Sequence, residues 1–281
     1  MPIEYGRFIR SLLPTFIAAG EYALAVQSRI RSRDKEGVRN LFAAALTDAD
    51  LSIQTLFEVT LLGERIPVRF APEEAEHSLN LRYFPPDAEH VFWLDPVNGT
   101  RFYREGFPHF DVIGTLTHGP DIVAAVVYLP AFGRAYYAIA GEGAFTMLQS
   151  SLLGEESPLT TEQSQANRLF LEGCDPSTEQ QLRAQFDVVT IEEYDRHPTP
   201  QWALSAHDML TGNIAGVAKT NAPLIDWGAM AWIVEQAGGI VSTFTGGPIP
   251  SYLDFPEQKI PQLLVARDQE THERMLRALR G

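Results

Sequence analysis

Cysteine is all but missing from this chain. Cys174 is the sole cysteine among 281 residues, which excludes an internal disulfide framework and a zinc centre built on thiolates, and suits a reducing compartment. Basic charge is scarce as well: 22 Lys and Arg stand against 36 Asp and Glu, for a formal charge of -14. A nucleic-acid backbone or an anionic membrane surface is therefore a poor match as main partner. An anionic small substrate would need a metal or a local basic residue beside it. Long apolar runs are the third shortage. The opening stretch MPIEYGRFIRSLLPTFIAAGEYAL is interrupted by Glu4, Arg7, Arg10 and Glu21, so no run is expected to span a bilayer, and the layout of a signal peptide is lacking. These shortages predict a cytoplasmic protein with neither a membrane nor a nucleic acid as partner.

What is present is a globular, enzyme-sized composition. With 45% apolar residues, the chain can bury one large core or two intimate lobes. Residues 4–31 and 38–62 carry apolar side chains near a 3.6 period and predict two packed helices. HVFWLD reads as a strand ending at Asp95, FDVIGTLTHG and DIVAAVVYLP as neighbours split at Gly119-Pro120, and RAYYAIAGEGAF as a further strand after Phe132-Gly133, which together make an antiparallel meander. The polar stretch SSLLGEESPLTTEQSQ marks a boundary near residue 150. An N-terminal α+β lobe, 1–150, would thus be followed by an α/β lobe, 151–281. In the latter, RLFLEG, DVVTIEEY and IAGVAK read as strands; EQQLRAQF, QWALSAHDMLTG and Asp226 to Gly238 read as helices.

Three acidic segments stand out: APEE with Glu73 and Glu74, WLDPVNGT with Asp95 and Asn98, and PLIDWGAM with Asp226. Each alone reads as an exposed pair, a turn or a helix cap. Together they offer oxygen ligands for hard dications, which can clamp a phosphate and activate water. The Gly99-Thr100 step adds backbone amides for an anion, with Gly99 permitting close approach.

WLDPVNGT resembles the signature W-x-D-P-x-D-G-T of the inositol monophosphatase family. DWGAMAWIVEQAGGIV is similar to its second signature, APEE to its Gly-Glu-Glu element and LTDAD to its upstream Thr-x-x-Asp segment. The resemblance implies a layered αβαβα sandwich and magnesium-dependent hydrolysis of small phosphate monoesters by in-line attack of water, without a phosphoenzyme. It implies a first Mg2+ site at Glu74, Asp95 and the Val97 carbonyl, and a second at Asp95, residue 98 and Asp226. It gives phosphate binding to Gly99 and Thr100, and water activation to Asp50 with Thr100 and Glu74. Two or three Mg2+ and a homodimer follow from the same resemblance, and Phe102, Tyr103 and Phe107 are candidates for either interface or core.

Asn98 departs from the pattern, since the family has aspartate there. A unit charge at about 4 Å in an effective dielectric of about 20 is worth on the order of 4 kcal/mol, so the second cation is expected to bind weakly. Ile225 replaces the tryptophan of the second signature. Lys219 falls where inositol-specific members carry glutamate; it reads either as a solvated lysine or as a cation for a second phosphate or carboxylate. Cys174 falls near a substrate-side loop and reads as a structural thiol. Two functions remain open. One is a phosphatase for an inositol phosphate, histidinol phosphate, or a sugar or nucleotide bisphosphate; the other is a silent relative that binds a phosphorylated metabolite or a protein.

Overall fold

The computed structural model describes residues 3–34, 39–151, 155–161, 166–196, 207–249, 251 and 258–281. Two compact units emerge, Met1–Glu142 with Thr146–Ser157, and Gly143–Phe145 with Pro158–Gly281.

The first unit opens with α1 (Tyr5–Asp34) and α2 (Arg39–Gly63). By length and a mean hydropathy of 1.2, the Tyr5–Arg29 stretch of α1 meets the requirement for a membrane span, which departs from the expectation set by its charges. Its apolar side chains Phe8, Ile9, Leu12, Leu13, Phe16 and Ile17 are nevertheless buried, at i, i+3 and i+4 spacing, as a core helix requires. A seven-stranded mixed sheet follows in chain order: β1 (Arg69–Pro72), β2 (His90–Asn98), β3 (Asp111–His118), β4 (Asp121–Leu129), β5 (Arg134–Ile139), β6 (Gly143–Leu148) and β7 (Glu156–Pro158). β1 is parallel to β2, and β2 to β5 are antiparallel neighbours. The meander is thus as expected, except that RAYYAIAGEGAF breaks at Gly141, whose φ of 81° ends β5 and starts a new strand. β3 and β4 are buried on both faces, which is why they read as continuous apolar runs. Between β2 and β3 lies the short α3 (Thr100–Arg104).

The described half of α2 presents two adjacent rows. Ala49, Ile53, Phe57 and Leu61 are buried apolar residues; Asp50, Gln54 and Glu58, one position on in each turn, are buried polar ones. The apolar row enters the core, where the Phe57 ring meets Phe16 at 4.7 Å. The polar row faces the segment after β1. Glu58 accepts hydrogen bonds from Gln54 (3.0 Å), from Asn80 (2.9 Å) and from the Ser78 hydroxyl. A buried carboxylate with three donors is a stable anchor, and it ties the segment carrying Glu73 and Glu74 to the helix carrying Asp50.

The second unit holds a five-stranded mixed sheet in the order β11-β12-β10-β8-β9, with β8 (Arg168–Glu172), β9 (Asp187–Thr190), β10 (Gly216–Pro223), β11 (Ile240–Ser242) and β12 (Lys259–Ala266). β8 is parallel to β9 and β10, and β12 antiparallel to β10 and β11. The helices are α4 (Pro176–Arg183), α5 (Ile191–Arg196), α6 (Asp208–Thr211), α7 (Ala229–Gln236) and α8 (Gln269–Arg280). The expected strand DVVTIEEY stops at Thr190. There the Thr190 hydroxyl accepts from the Glu193 amide (3.2 Å) while the Glu193 carboxylate accepts from the Thr190 amide (3.0 Å), a capping box that starts α5. The helix expected at QWALSAHDMLTG lies partly outside the described residues; α6 is its described end. The helix expected from Asp226 begins as a π-helical turn, Leu224–Gly228, and continues as α7.

Replacing Glu58 by alanine leaves the Ser78 hydroxyl and the Asn80 amide without this acceptor. We expect a loss of about 2–4 kcal/mol in denaturant unfolding, with a matching rise in amide exchange over residues 73–80.

Candidate functional site

In the first unit the site is built by an irregularity in β2. Asp95 pairs with Ile113 of β3 and Asn98 with Asp111, with a shift of register between them. One extra residue is therefore accommodated around Pro96 and Val97. Cross-strand partners share a sheet face, and residues 111 and 113, two apart, share one as well. The bulge thus puts Asp95 and Asn98 on the same face, where an unbroken strand would have put them on opposite ones. Proline suits the position because its missing amide breaks no ladder bond. β2 consequently runs to Asn98, three residues beyond the expected end at Asp95.

Gly99 then turns the chain with φ 78°. A Cβ built there would lie 2.7 Å from the His109 carbonyl oxygen, so both the dihedral and the space demand glycine. Thr100 opens α3, and its hydroxyl donates to the Val97 carbonyl (3.0 Å). The turn is anchored from beneath. Tyr103 donates its hydroxyl to the Ala23 carbonyl (2.7 Å), and Gln27 donates to the carbonyls of Tyr103 (2.9 Å) and Phe107 (3.1 Å). Phe102 and Tyr103 are both buried and belong to the core of this chain.

Four carboxyl groups come within electrostatic reach. Asp50, only 9% exposed, is pushed up to about 7 by burial and by the charges of Glu73 and Glu74. Glu73 keeps an exposed flank, yet crowding around its carboxyl raises its pKa; a hydrogen bond with Asp95 lowers it in part, and Glu74 raises it further. Asp95 in turn accepts from the Val97 amide (3.1 Å). Glu73, the first acid of APEE, thus acts on Asp95 alongside Glu74, to which the family resemblance gave the ligand role. Among the described residues, no three such side chains are close enough to hold a metal ion as they stand. The charges of their neighbours nonetheless raise Asp50 and Glu73. As a donor set, all oxygen and in excess of negative charge, they fit a hard dication.

Asn98 donates its side-chain amide to the Asp111 carboxylate at 2.8 Å. Asp111 is 1% exposed and was not among the residues expected at the site. Its signal in the sequence was a lone acid at the head of the apolar run FDVIG.

In the second unit, Asp226 accepts from the Trp227 amide (2.8 Å) within the π-helical turn. Desolvation pushes its carboxyl up to about 7, opposed by the amides of the turn and by Lys219. Lys219 is not a solvated lysine: it is 7% exposed, donates to Glu172 on the adjacent strand at 2.7 Å, and lies 5.2 Å from the centre of the Trp227 ring. Its charge is therefore engaged within the sheet. Cys174 donates to the Ala218 carbonyl (3.3 Å) and packs on the apolar cluster of this unit. Burial pushes its thiol up to about 12, the behaviour of a structural rather than a reactive cysteine.

A sequence model of the inositol monophosphatase family matches residues 14–281. The chain belongs to this family. Its similarity to the fructose-1,6-bisphosphatase/inositol-1-monophosphatase of Aquifex aeolicus is 38% identity over 99 residues, covering 30% of this chain and 38% of that protein. Its similarity to the Nus factor SuhB of Xylella fastidiosa is 26% over 165 residues, covering 57% and 58%. The chain thus spans less than two thirds of the curated relatives it matches. The solved structure of the extragenic suppressor protein suhB from Bartonella henselae matches with a TM-score of 0.70 at 18% identity, over 97% of this chain and 98% of that one. The fold is the α+β layered sandwich of the family.

Two outcomes are expected. Gly99→Ala should lose about 1–3 kcal/mol in thermal denaturation, from the left-handed dihedral and the His109 carbonyl. For Asp50, a folded-state pKa raised from 3.8 to about 7 makes its contribution to stability full below about pH 4 and lost as pH rises through 7. In chelator at pH 8, Asp50→Asn should therefore be more stable than the unsubstituted protein by on the order of 4 kcal/mol at most, read as a higher melting temperature. That gain should vanish by pH 4.

Proposed function

We infer that this protein is a magnesium-dependent phosphomonoesterase acting on a small phosphorylated metabolite. The observation that carries the reading is the group Asp50, Glu73, Glu74 and Asp95, four acids assembled by α2, the segment after β1, and β2 beside the Gly99 turn. Such crowding is costly to keep unless a cation offsets it. Asp95, Glu74, the Val97 carbonyl and the Asn98 amide oxygen would hold Mg2+. Magnesium, when bound, supplies polarisation of the phosphoryl group and acidification of water.

The remaining steps belong to the chain. Gly99 and Thr100 present amides to the phosphate at a point where no side chain intervenes. Asp50, with a carboxyl near 7, has the proton affinity of a general base at neutral pH, and the Thr100 oxygen can accept from the same water. Lys219, already paired with Glu172, contributes little charge to a second phosphate. This weakens the case for a bisphosphate as substrate and leaves monoesters favoured.

A second reading, a relative that binds a phosphorylated metabolite or a protein without turnover, rests on Asn98 and on the similarity to proteins called Nus factor SuhB. Phosphate release separates the two. With magnesium and a panel of inositol phosphates, histidinol phosphate, fructose bisphosphate and adenosine 3',5'-bisphosphate, we expect release that chelator abolishes. Asp95→Asn should reduce it about 100-fold or more, the size of one lost charge interaction of about 3 kcal/mol. Silence across the panel would reject the enzyme and favour the second reading.

A further inference from the structure

Asn98, the departure from the first family signature, is hydrogen-bonded to Asp111, a buried acid that the signature does not include. Asn98 and Asp111 are register partners across β2 and β3, joined at 2.8 Å, on the sheet face that also carries Asp95. A carboxylate 1% exposed is expensive to desolvate, and a position of that kind is held by acid only where its charge is used or paired. The amide bond to Asn98 also settles the orientation of that side chain. With its nitrogen committed to Asp111, the atom that Asn98 has left to offer a ligand is its carbonyl oxygen.

We propose that the negative charge which the family signature places at position 98 has moved across the strand pair to Asp111. There it acts as a positioning residue that orients Asn98 as an oxygen ligand and keeps the cation site charged through a neutral one. Coulomb attraction falls only as the inverse of distance, so a carboxylate one amide group further out retains about half its effect. The second cation is then not as weak as position 98 alone implies. The inference rests on the phosphatase reading and deepens it. It also makes Asn98→Asp by itself a damaging change, since it sets two carboxylates at hydrogen-bonding distance in a buried strand pair.

The test compares four full-length proteins: the unsubstituted one, Asn98→Asp, Asp111→Asn, and the exchange Asn98→Asp with Asp111→Asn. Each is melted in chelator, titrated with Mn2+ by calorimetry and assayed for phosphate release with Mg2+. We expect Asp111→Asn to bind Mn2+ about 10- to 100-fold more weakly, Asn98→Asp to melt well below the parent, and the exchange to recover both melting temperature and affinity, with kcat following affinity. If Asp111→Asn does not fold, the exchange decides: parent-like folding and affinity support the inference, and failure of either overturns it. Unchanged Mn2+ affinity in a folded Asp111→Asn would overturn the inference while leaving the phosphatase standing. So would an Asn98→Asp that binds more tightly with no loss of stability. Absence of both Mn2+ binding and phosphate release in all four would overturn the phosphatase reading itself, and the inference with it.

Discussion

A single extra residue in β2, absorbed at Pro96 and Val97, is the constraint on which the candidate site depends. Strand geometry assigns residues three apart to opposite faces, so without the bulge Asp95 and Asn98 could not both face the acids of α2 and of the segment after β1. The same irregularity delivers the chain into Gly99 at a dihedral and a clearance that only glycine satisfies. Proline, bulge and glycine therefore work as one device. Proline costs the ladder no bond where pairing slips, and glycine turns the chain immediately after.

Around this device the first unit holds its charge by bracing. Glu58, buried among Gln54, Ser78 and Asn80, is a satisfied acid whose role is structural, and it fixes the spacing between α2 and the segment that bears Glu73 and Glu74. One turn further along the same row of α2 stands Gln54, and one turn beyond that Asp50, whose carboxyl is instead left in the field of its neighbours. A single helix face thus carries both an anchored and a strained carboxylate, four residues on either side of Gln54. The strain is the electrostatic reason for expecting a cation, since Asp50 and Glu73 are held where ionisation is disfavoured by burial and like charge.

Position 98 shows why a signature read by itself can mislead about charge. Counting acids along the motif gives a deficit of one; counting acids around the strand pair gives none, because Asp111 stands beside Asn98. The second unit makes the same point with opposite sign. Lys219 reads as an available cation along the chain, but across the sheet it is matched by Glu172 and covered by Trp227.

Much of this protein was determined locally. The periodicity of α1 and α2, the meander from β2 to β5, and the order of the acidic segments were legible because each arises from residues within a few turns or one hairpin of each other. The capping box at Thr190 and Glu193 was equally local, but the apolar run before it disguised where the strand stopped. Tertiary structure alone decided the rest: that Glu58 anchors a segment about twenty residues away, that Asp111 stands beside Asn98 and that Lys219 is already paired. These are pairings between strands or between a helix and a loop. Register and a one-residue bulge choose the partner there, and a linear pattern fixes which side chains exist without fixing which of them share a face.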